Sequence, residues 1–250
     1  MKFDIMTLFP EMVSTVLSES IIGRASRAGK IEFECHNIRD YSENKHRNVD
    51  DTPYGGGMGM VMAAPPIYNC FCAVKEKNKD KYNSVRTIYM SPKGRVLTQE
   101  IANELKEYNN LIILCGHYEG VDQRVLDEIV DEEISIGDYV LTGGELPACI
   151  LVDCVSRLLE GVLSSPECYE RESIAAGLLE HPQYTRPYEF HGVKIPDVLI
   201  SGHHENIEKW RHEQSLQITG ERRPEMLRQY LEAHPPKEKK KRRKEKPSDA

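Results

Sequence analysis

The spacing of apolar residues along this chain changes several times, and each change marks an element. KFDIMTL (2–8) reads as a first strand, and Pro10 then opens the helix PEMVSTVL, since proline suits a first helical turn. IEFECHNI (31–38) alternates as a half-buried strand does. A polar, glycine-rich stretch from Asp40 to Met60 predicts a long loop, and APPIYNCFCAVKEKN (64–78) returns to helical spacing. Three short apolar runs follow: VRTIYM (85–90), LIILC (111–115) and EEISIG (132–137). Each leads into a glycine-bearing loop and then a helix-like segment. Thr98 is placed to cap the first of these helices, TQEIANELKEY, and ELPACILVDCVSRLLE (145–160) is the last.

This alternation predicts an α/β fold with a mostly parallel sheet. Runs apolar at every position, such as LIILC, belong to strands covered on both faces. The pattern breaks up from about 164 to 196, and SGHHENIEKWRHEQSLQITGERRPEMLRQYLE (201–232) is strongly helical. The expected organisation is an α/β domain over 1–163, a linker over 164–196, a small helical domain over 197–234 and a basic, disordered tail over 235–250. No internal repeat is seen.

Composition narrows the setting. With 250 residues, 39% hydrophobic and 29% charged, the chain reads as an ordinary globular protein with a core of its own. No apolar run approaches the ~20 residues of a membrane helix; ACILVDCV (148–155) is interrupted by Asp153. Asp4 and Pro10 break what would be a signal-peptide core, so a cytoplasmic protein is expected. The seven cysteines (Cys35, Cys70, Cys72, Cys115, Cys149, Cys154 and Cys168) are odd in number and lack C-x-x-C spacing. Reduced thiols are expected, and the spacing argues against a structural zinc or iron–sulfur site. The net charge of −7 is unevenly spread: residues 237–250 hold eight Lys/Arg against three acids, leaving 25 basic and 37 acidic residues in 1–236. An acidic body meets nucleic acid only through local basic patches, and the tail could add sequence-blind attraction.

Candidate chemistry gathers where strands end, because ligands of open α/β sheets bind outside the carboxyl ends of the strands. The loops there are SPKGR (91–95), CGHYEGVDQR (115–124) and IGDYVLTGGELP (136–147). They match neither G-x-G-x-x-G nor the phosphate loop G-x-x-x-x-G-K-[ST]. Their only cations are Lys93, Arg95 and Arg124. They offer backbone N–H and C=O groups between apolar walls: Tyr89, Leu114, Tyr118, Ile136, Tyr139, Leu141 and Leu146. That suits a nucleoside with a purine edge to read and no triphosphate. Tight βα turns would have the same pattern, and spacing alone leaves both open. His203 and His204 are adjacent, so on a helix they point about 100° apart and do not share a metal; a cap or an RNA contact fits them better.

Five ordered motifs carry a resemblance. DDTPYGGGMGM (50–60), SPKGR, CGHYEGVDQR, SIGDYVLTGGELP (135–147) and GLLEHPQYTRP (177–187) together resemble the bacterial tRNA (guanine-N1)-methyltransferases, which modify the guanosine immediately 3′ to the anticodon. SGHHENIEKWRHEQSL is similar to the same family's C-terminal domain, and the resemblance spans roughly residues 1–232. It implies a SPOUT-type fold whose sheet ends in a deep trefoil knot. It also implies S-adenosylmethionine as methyl donor, tRNA as substrate, magnesium as a further cofactor, and a homodimer with each active site shared between subunits. A related knotted enzyme acting on another RNA atom, such as a ribose 2′-oxygen, is the alternative, and a binding module without turnover is a third reading.

Carried over by residue, the resemblance places Tyr89, Met90, Ser91 and Pro92 in one wall of the donor pocket. Gly116, Tyr118, Glu119 and Gly120 fall in a second wall. Ser135, Ile136, Gly137, Tyr139, Leu141, Gly143, Gly144 and Pro147 form the third. His117 stands where the family commonly has arginine and is expected to tune the pocket. The implied base is Glu172, where the family has aspartate, and the implied guanidinium is Arg157. Ser173, Glu180, Arg186, His203, Trp210 and Arg211 are the expected tRNA contacts. Trp210 equally suits the core of the small domain. Lys194, Lys209, Arg222, Arg223 and Arg228 complete, with Arg186, a set able to meet phosphates. Metal ligands stay unassigned.

Overall fold

The computed structural model describes residues 1–165, 169 and 172–235. Cys168 and, beyond its first residue, the expected disordered tail lie outside the described residues. The chain divides into two units, residues 1–169 and 170–250.

The first unit runs β1 (Lys2–Thr7), α1 (Pro10–Leu17), α2 (Ser20–Arg27), β2 (Glu32–Asn37), then a short pair, β3 (Asp50–Asp51) and β4 (Val61–Met62). It continues α3 (Ala64–Asn78), β5 (Val85–Val96), α4 (Gln99–Leu105), β6 (Asn110–Cys115), α5 (Gln123–Ile129), β7 (Glu132–Ser135) and α6 (Glu145–Ser156). Five strands pair in parallel in the order β2-β1-β6-β5-β7. The α/β reading with a parallel sheet therefore holds.

The continuous apolar strands are explained by two cores, one on each face. Phe3, Ile5, Leu111, Ile113 and Cys115 enter a core with α1, α4 and α6 residues such as Val13, Leu105 and Val152. Met6, Ile112 and Leu114 point the other way, against Ile67 and Val74 of α3 and Leu126 of α5. Successive strand residues face opposite sides, so a strand covered twice has no polar phase.

Several elements depart from the pattern. β5 does not stop at Met90. Ile134 of β7 pairs first with Met90 and then with Arg95, so Ser91–Gly94 leave the ladder and the strand resumes. Gly94 permits the return, because a Cβ there would lie 2.3 Å from the Glu133 carbonyl carbon. Helix α2 has no expectation behind it: it is eight residues long and contains Gly23, a poor helix former. The glycine is required by packing, since a Cβ would stand 1.8 Å from the Ser18 oxygen. α6 ends at Ser156, short of the expected 160, with Arg157 as its cap.

In the second unit the strongly helical stretch 201–232 forms two helices, α7 (His204–Arg222) and α8 (Pro224–Ala233). Pro224 has no N–H to continue the ladder and starts a new helix instead. The expected linker contains the hairpin β8 (Glu189–Phe190) and β9 (Val193–Lys194). His191 and Gly192 turn it with φ of 51° and 78°, the positive values a two-residue hairpin turn demands.

One polar cluster sits inside the first unit. Asp4 is fully buried and accepts from His36 Nε2 at 2.8 Å, Asn78 at 2.7 Å and Asn110 at 2.8 Å. Burial works to raise the Asp4 pKa, but the bonds from His36 and Asn110 and the Lys2 charge outweigh it and hold the carboxyl below its ordinary range. Asp4, Glu34 and His36 converge closely enough to hold a cation. The Lys2 ammonium, 3.4 Å from Asp4 and 3.2 Å from Glu34, already supplies that charge. The cluster ties β1, β2, α3 and β6 together.

Candidate active site

The three loops meet. All sixteen residues expected around the donor line one cleft of about 400 Å³ at the excursion of β5 and the carboxyl ends of β6 and β7. His117, expected to tune the pocket, lines it too, and so do Gln123, Val140 and Thr142, which were not expected there; Val140 and Thr142 each neighbour a residue that was. Two residues expected in its apolar walls do not line it. Leu114 is fully buried on the α3 side, in pleat phase with Ile112, and Leu146 faces solvent from α6.

The loops are shaped by backbone. Gly144 N donates to Gly116 O at 2.8 Å, and His117 bridges Gly143. A Cβ on Gly116 would strike the Tyr89 ring at 2.7–2.8 Å, and one on Gly144 would lie 2.8 Å from the Cys115 Cα. Gly137 and Gly120 have φ of 139° and 135°, which side-chain-bearing residues avoid. The Ser135 hydroxyl accepts from Gly137 N and the Tyr139 hydroxyl donates to Ile136 O, so the third loop is held by its own side chains. Burial and the nearby Glu133 charge push the Tyr89 phenol up to about 12, so it stays neutral.

The electrostatics do not suit a polyphosphate. Arg95 pairs with Glu104 and Glu132 at 3.3 and 3.4 Å, and Arg124 pairs with Asp122 at 2.7 Å. Of the three loop cations, Lys93 alone lines the cleft. What faces the ligand is carbonyls, amides, aromatic rings and the Glu119 carboxylate. Glu119 is held from behind: its amide donates to Met60 O at 3.0 Å, and its side chain lies across Gly59, where a Cβ would meet it at 2.5 Å. The glycine-rich loop 50–60 thus backs the cleft's second wall.

Arg157 follows α6, and its amide donates to Asp153 O at 3.1 Å. In the second unit, Glu172, Ser173 and Glu180 belong to one compact loop. Glu180 N donates to the Ser173 hydroxyl at 2.8 Å, and Ile174 N to Leu178 O at 3.0 Å. Leu178 is buried, and Leu179 N donates to Thr219 of α7, which anchors the loop. Trp210 is half-buried with His181 and Tyr184 at 6.4 and 6.3 Å between ring centres, while Arg211 donates to Glu208 at 2.7 Å. Glu180 and Arg211 line a second cleft of about 410 Å³ within this unit; Arg186 and His203 do not line it and are exposed.

An α/β sheet with a glycine-walled, cation-poor cleft at its strand ends defines the class: an α/β protein whose main cleft is walled by backbone and aromatic rings. Comparison with known sequences then gives the family. The pattern of the tRNA (guanine-1)-methyltransferase TrmD family matches residues 1–229, and the chain belongs to that family, and so to the methyltransferases. It is 58% identical over 227 residues to a tRNA (guanine-N(1)-)-methyltransferase of Ruminiclostridium cellulolyticum, covering 91% of this chain and 96% of that protein. A protein of the same name from Alkaliphilus oremlandii is 54% identical over 233 residues, covering 92% and 94%. Another, from Clostridioides difficile, is 52% identical over 223 residues, covering 89% and 96%.

Proposed function

We propose that this chain transfers a methyl group from S-adenosylmethionine to N1 of the guanosine immediately 3′ to the anticodon of tRNA. The single observation that carries the reading is the convergence of three loops, dispersed over residues 89–147, on one glycine-walled cleft in a chain of this family. The cleft fits such a donor: its volume suits a nucleoside, its backbone amides and carbonyls suit a purine edge, and its shortage of cations suits a ligand without phosphates. The donor supplies a methyl group already activated on a sulfonium.

What remains for the protein is proton and charge management at guanine. N1 carries a proton, so a carboxylate at that atom removes it as the new bond forms. In this reading Glu172 is that base, one methylene longer than the family's aspartate. Negative charge then builds on O6, and Arg157 donates to it. Ser173 and Glu180 contact the guanine, while Arg186, His203, Trp210 and Arg211 meet the rest of the tRNA. The donor domain is read as 1–163, with 164–196 as a linker and 197–234 as a helical tRNA-binding domain. The trefoil knot belongs to this reading as what the family resemblance implies. Magnesium is expected from the resemblance alone, and no step is routed through it.

A homodimer with shared active sites is part of the proposal. Phe9, just before α1, Met12 and Val16 of α1, and Leu146 and Ile150 of α6 are 43–48% exposed at helical spacing, and α1 packs on α6. A face that apolar suits a second copy. A cytoplasmic setting is supported by the free state of the six described cysteines. Among the described residues no helix is long and apolar enough to cross a membrane.

The test is the position of the methyl group. Mass spectrometry of tRNA incubated with the protein and labelled donor should find one label on guanine N1 beside the anticodon. Label on a ribose would replace this reading with a 2′-oxygen methyltransferase, and donor binding with no label on any tRNA would reduce the chain to a binding module.

A further inference from the structure

The inference rests on the reading of the main cleft as the donor site, and it starts from His117. Among the described residues, the buried Nδ1 of His117 has no hydrogen-bond partner. An unpaired buried nitrogen is costly, so its position asks for a use. The ring is fixed from two sides, edge-on to Tyr118 with centroids 4.9 Å apart and tilted against Phe9 at 5.2 Å.

The third side is Gly143. A Cβ at Gly143 would meet His117 Nδ1 at 2.7 Å and Glu145 Oε2 at 2.4 Å, so the imidazole nitrogen and the carboxylate open on the same gap. Glu145 is 3% exposed, the first residue of α6, and its Oε1 accepts from Thr7 Oγ1 at 2.9 Å. It is held ready, with one oxygen engaged and the other toward the gap. Backbone ties already join the second and third cleft loops here, through Gly144 N to Gly116 O and the His117–Gly143 bridge.

We propose that His117 is a positioning residue: carrying a proton on Nδ1, it closes on Glu145 across Gly143 to make a hydrogen bond that stands open in this structure, and this latch sets the spacing of the two loops that donor binding needs. The charged and titratable groups facing it are Glu145 from α6 and the neighbouring Tyr118, with Arg39 3.5 Å beyond the Tyr118 hydroxyl; Phe9 adds no charge. The neutral ring with its proton on Nε2 would turn a lone pair toward the carboxylate, and the imidazolium turns a donor. An arginine at this position carries the charge at every pH.

The experiment is calorimetric titration of the full chain with S-adenosylmethionine from about pH 6 to 8.5, in buffers of different ionisation heat, with His117→Gln, His117→Arg and Glu145→Gln alongside. The donor's own amine titrates near the top of this range, and the His117→Gln profile carries that background. Relative to it, the wild type should gain affinity on the order of tenfold toward acid, the scale of one hydrogen bond between charged groups. Glu145→Gln should lose that gain, and His117→Arg should hold it at every pH. The wild type should also take up protons on binding at about pH 6.5, where the amine is already charged, a readout that needs no variant. Absence of that uptake, or a profile that His117→Gln and Glu145→Gln share with the wild type, overturns the latch alone. Failure of the wild type to bind the donor at any pH overturns the donor-site reading and the latch with it.

Discussion

The amide of Gly144 donates to the carbonyl of Gly116 at 2.8 Å, which stitches the third cleft loop to the second. A methyl group on Gly144 would lie 2.8 Å from the Cys115 Cα and 2.9 Å from Gly116 N, both backbone atoms that cannot swing aside. Gly144→Ala is therefore expected to part the loops. Donor affinity, measured by calorimetry, should fall by more than about tenfold, and the melting temperature should drop by several degrees. Unchanged donor affinity would mean that the two loops do not act as one wall.

Glu172 gives a sharper separation of binding from chemistry. Glu172→Gln keeps size and polarity but cannot accept a proton, so transfer in a single-turnover assay should fall by about a hundredfold or more. Donor affinity should stay within about twofold, because no residue of the main cleft changes. Glu172→Asp, which restores the family's residue, should retain transfer. Near-normal turnover in Glu172→Gln would remove this residue from the base role.

Thr7 and Glu145 are 138 positions apart in sequence and meet at 2.9 Å in a buried bond. The Thr7 hydroxyl also accepts from Phe9 N at 2.9 Å. Thr7→Val keeps shape and deletes the donor, which leaves a buried carboxylate oxygen unsatisfied. A cost of about 1–3 kcal/mol in urea unfolding is expected. Stability within a few tenths of the wild type would show that Glu145 finds another donor.

Asp4 ties folding to acidity. Its carboxyl titrates below the ordinary range in the fold, so its contribution is complete above the unfolded value and is lost as pH falls through the folded one. The urea midpoint should drop steeply below about pH 4. In Asp4→Asn the protein should be less stable at neutral pH and its midpoint should change less over the acid range. An equally steep acid limb in that variant would assign the loss to other carboxyls.

Much of this protein is local pattern, and that much is legible along the chain. Period-2 and continuous apolar runs mark β1, β2, β6 and β7, and helical spacing marks α1, α3 and α6, because each periodicity reports the geometry of a single element. The sixteen residues that the resemblance places around a donor fall in three short stretches, 89–92, 116–120 and 135–147, and all of them line one cleft, where Gly116 and Gly144 are demanded by a nearby ring and backbone. Local pattern failed wherever the deciding neighbour was distant. Leu114 and Leu146 look like wall residues in sequence, yet pleat phase and helix face turn them elsewhere. Gly23 argues against a helix by propensity, yet α2 buries Ile22 and Ala25 in the core and its close pass by Ser18 leaves room for no side chain at 23.

The sequence by itself determined the α/β class, the order of the main strands and helices of the sheet, and the polar, glycine-bearing character of the loops. Only the tertiary structure decided the strand order β2-β1-β6-β5-β7, the excursion of Ser91–Gly94 out of β5, and the meeting of Thr7, His117 and Glu145 behind the cleft. The physical reason is reach. Periodicity reports which face of an element is buried, but which distant side chain stands against it is settled by packing the whole sheet at once.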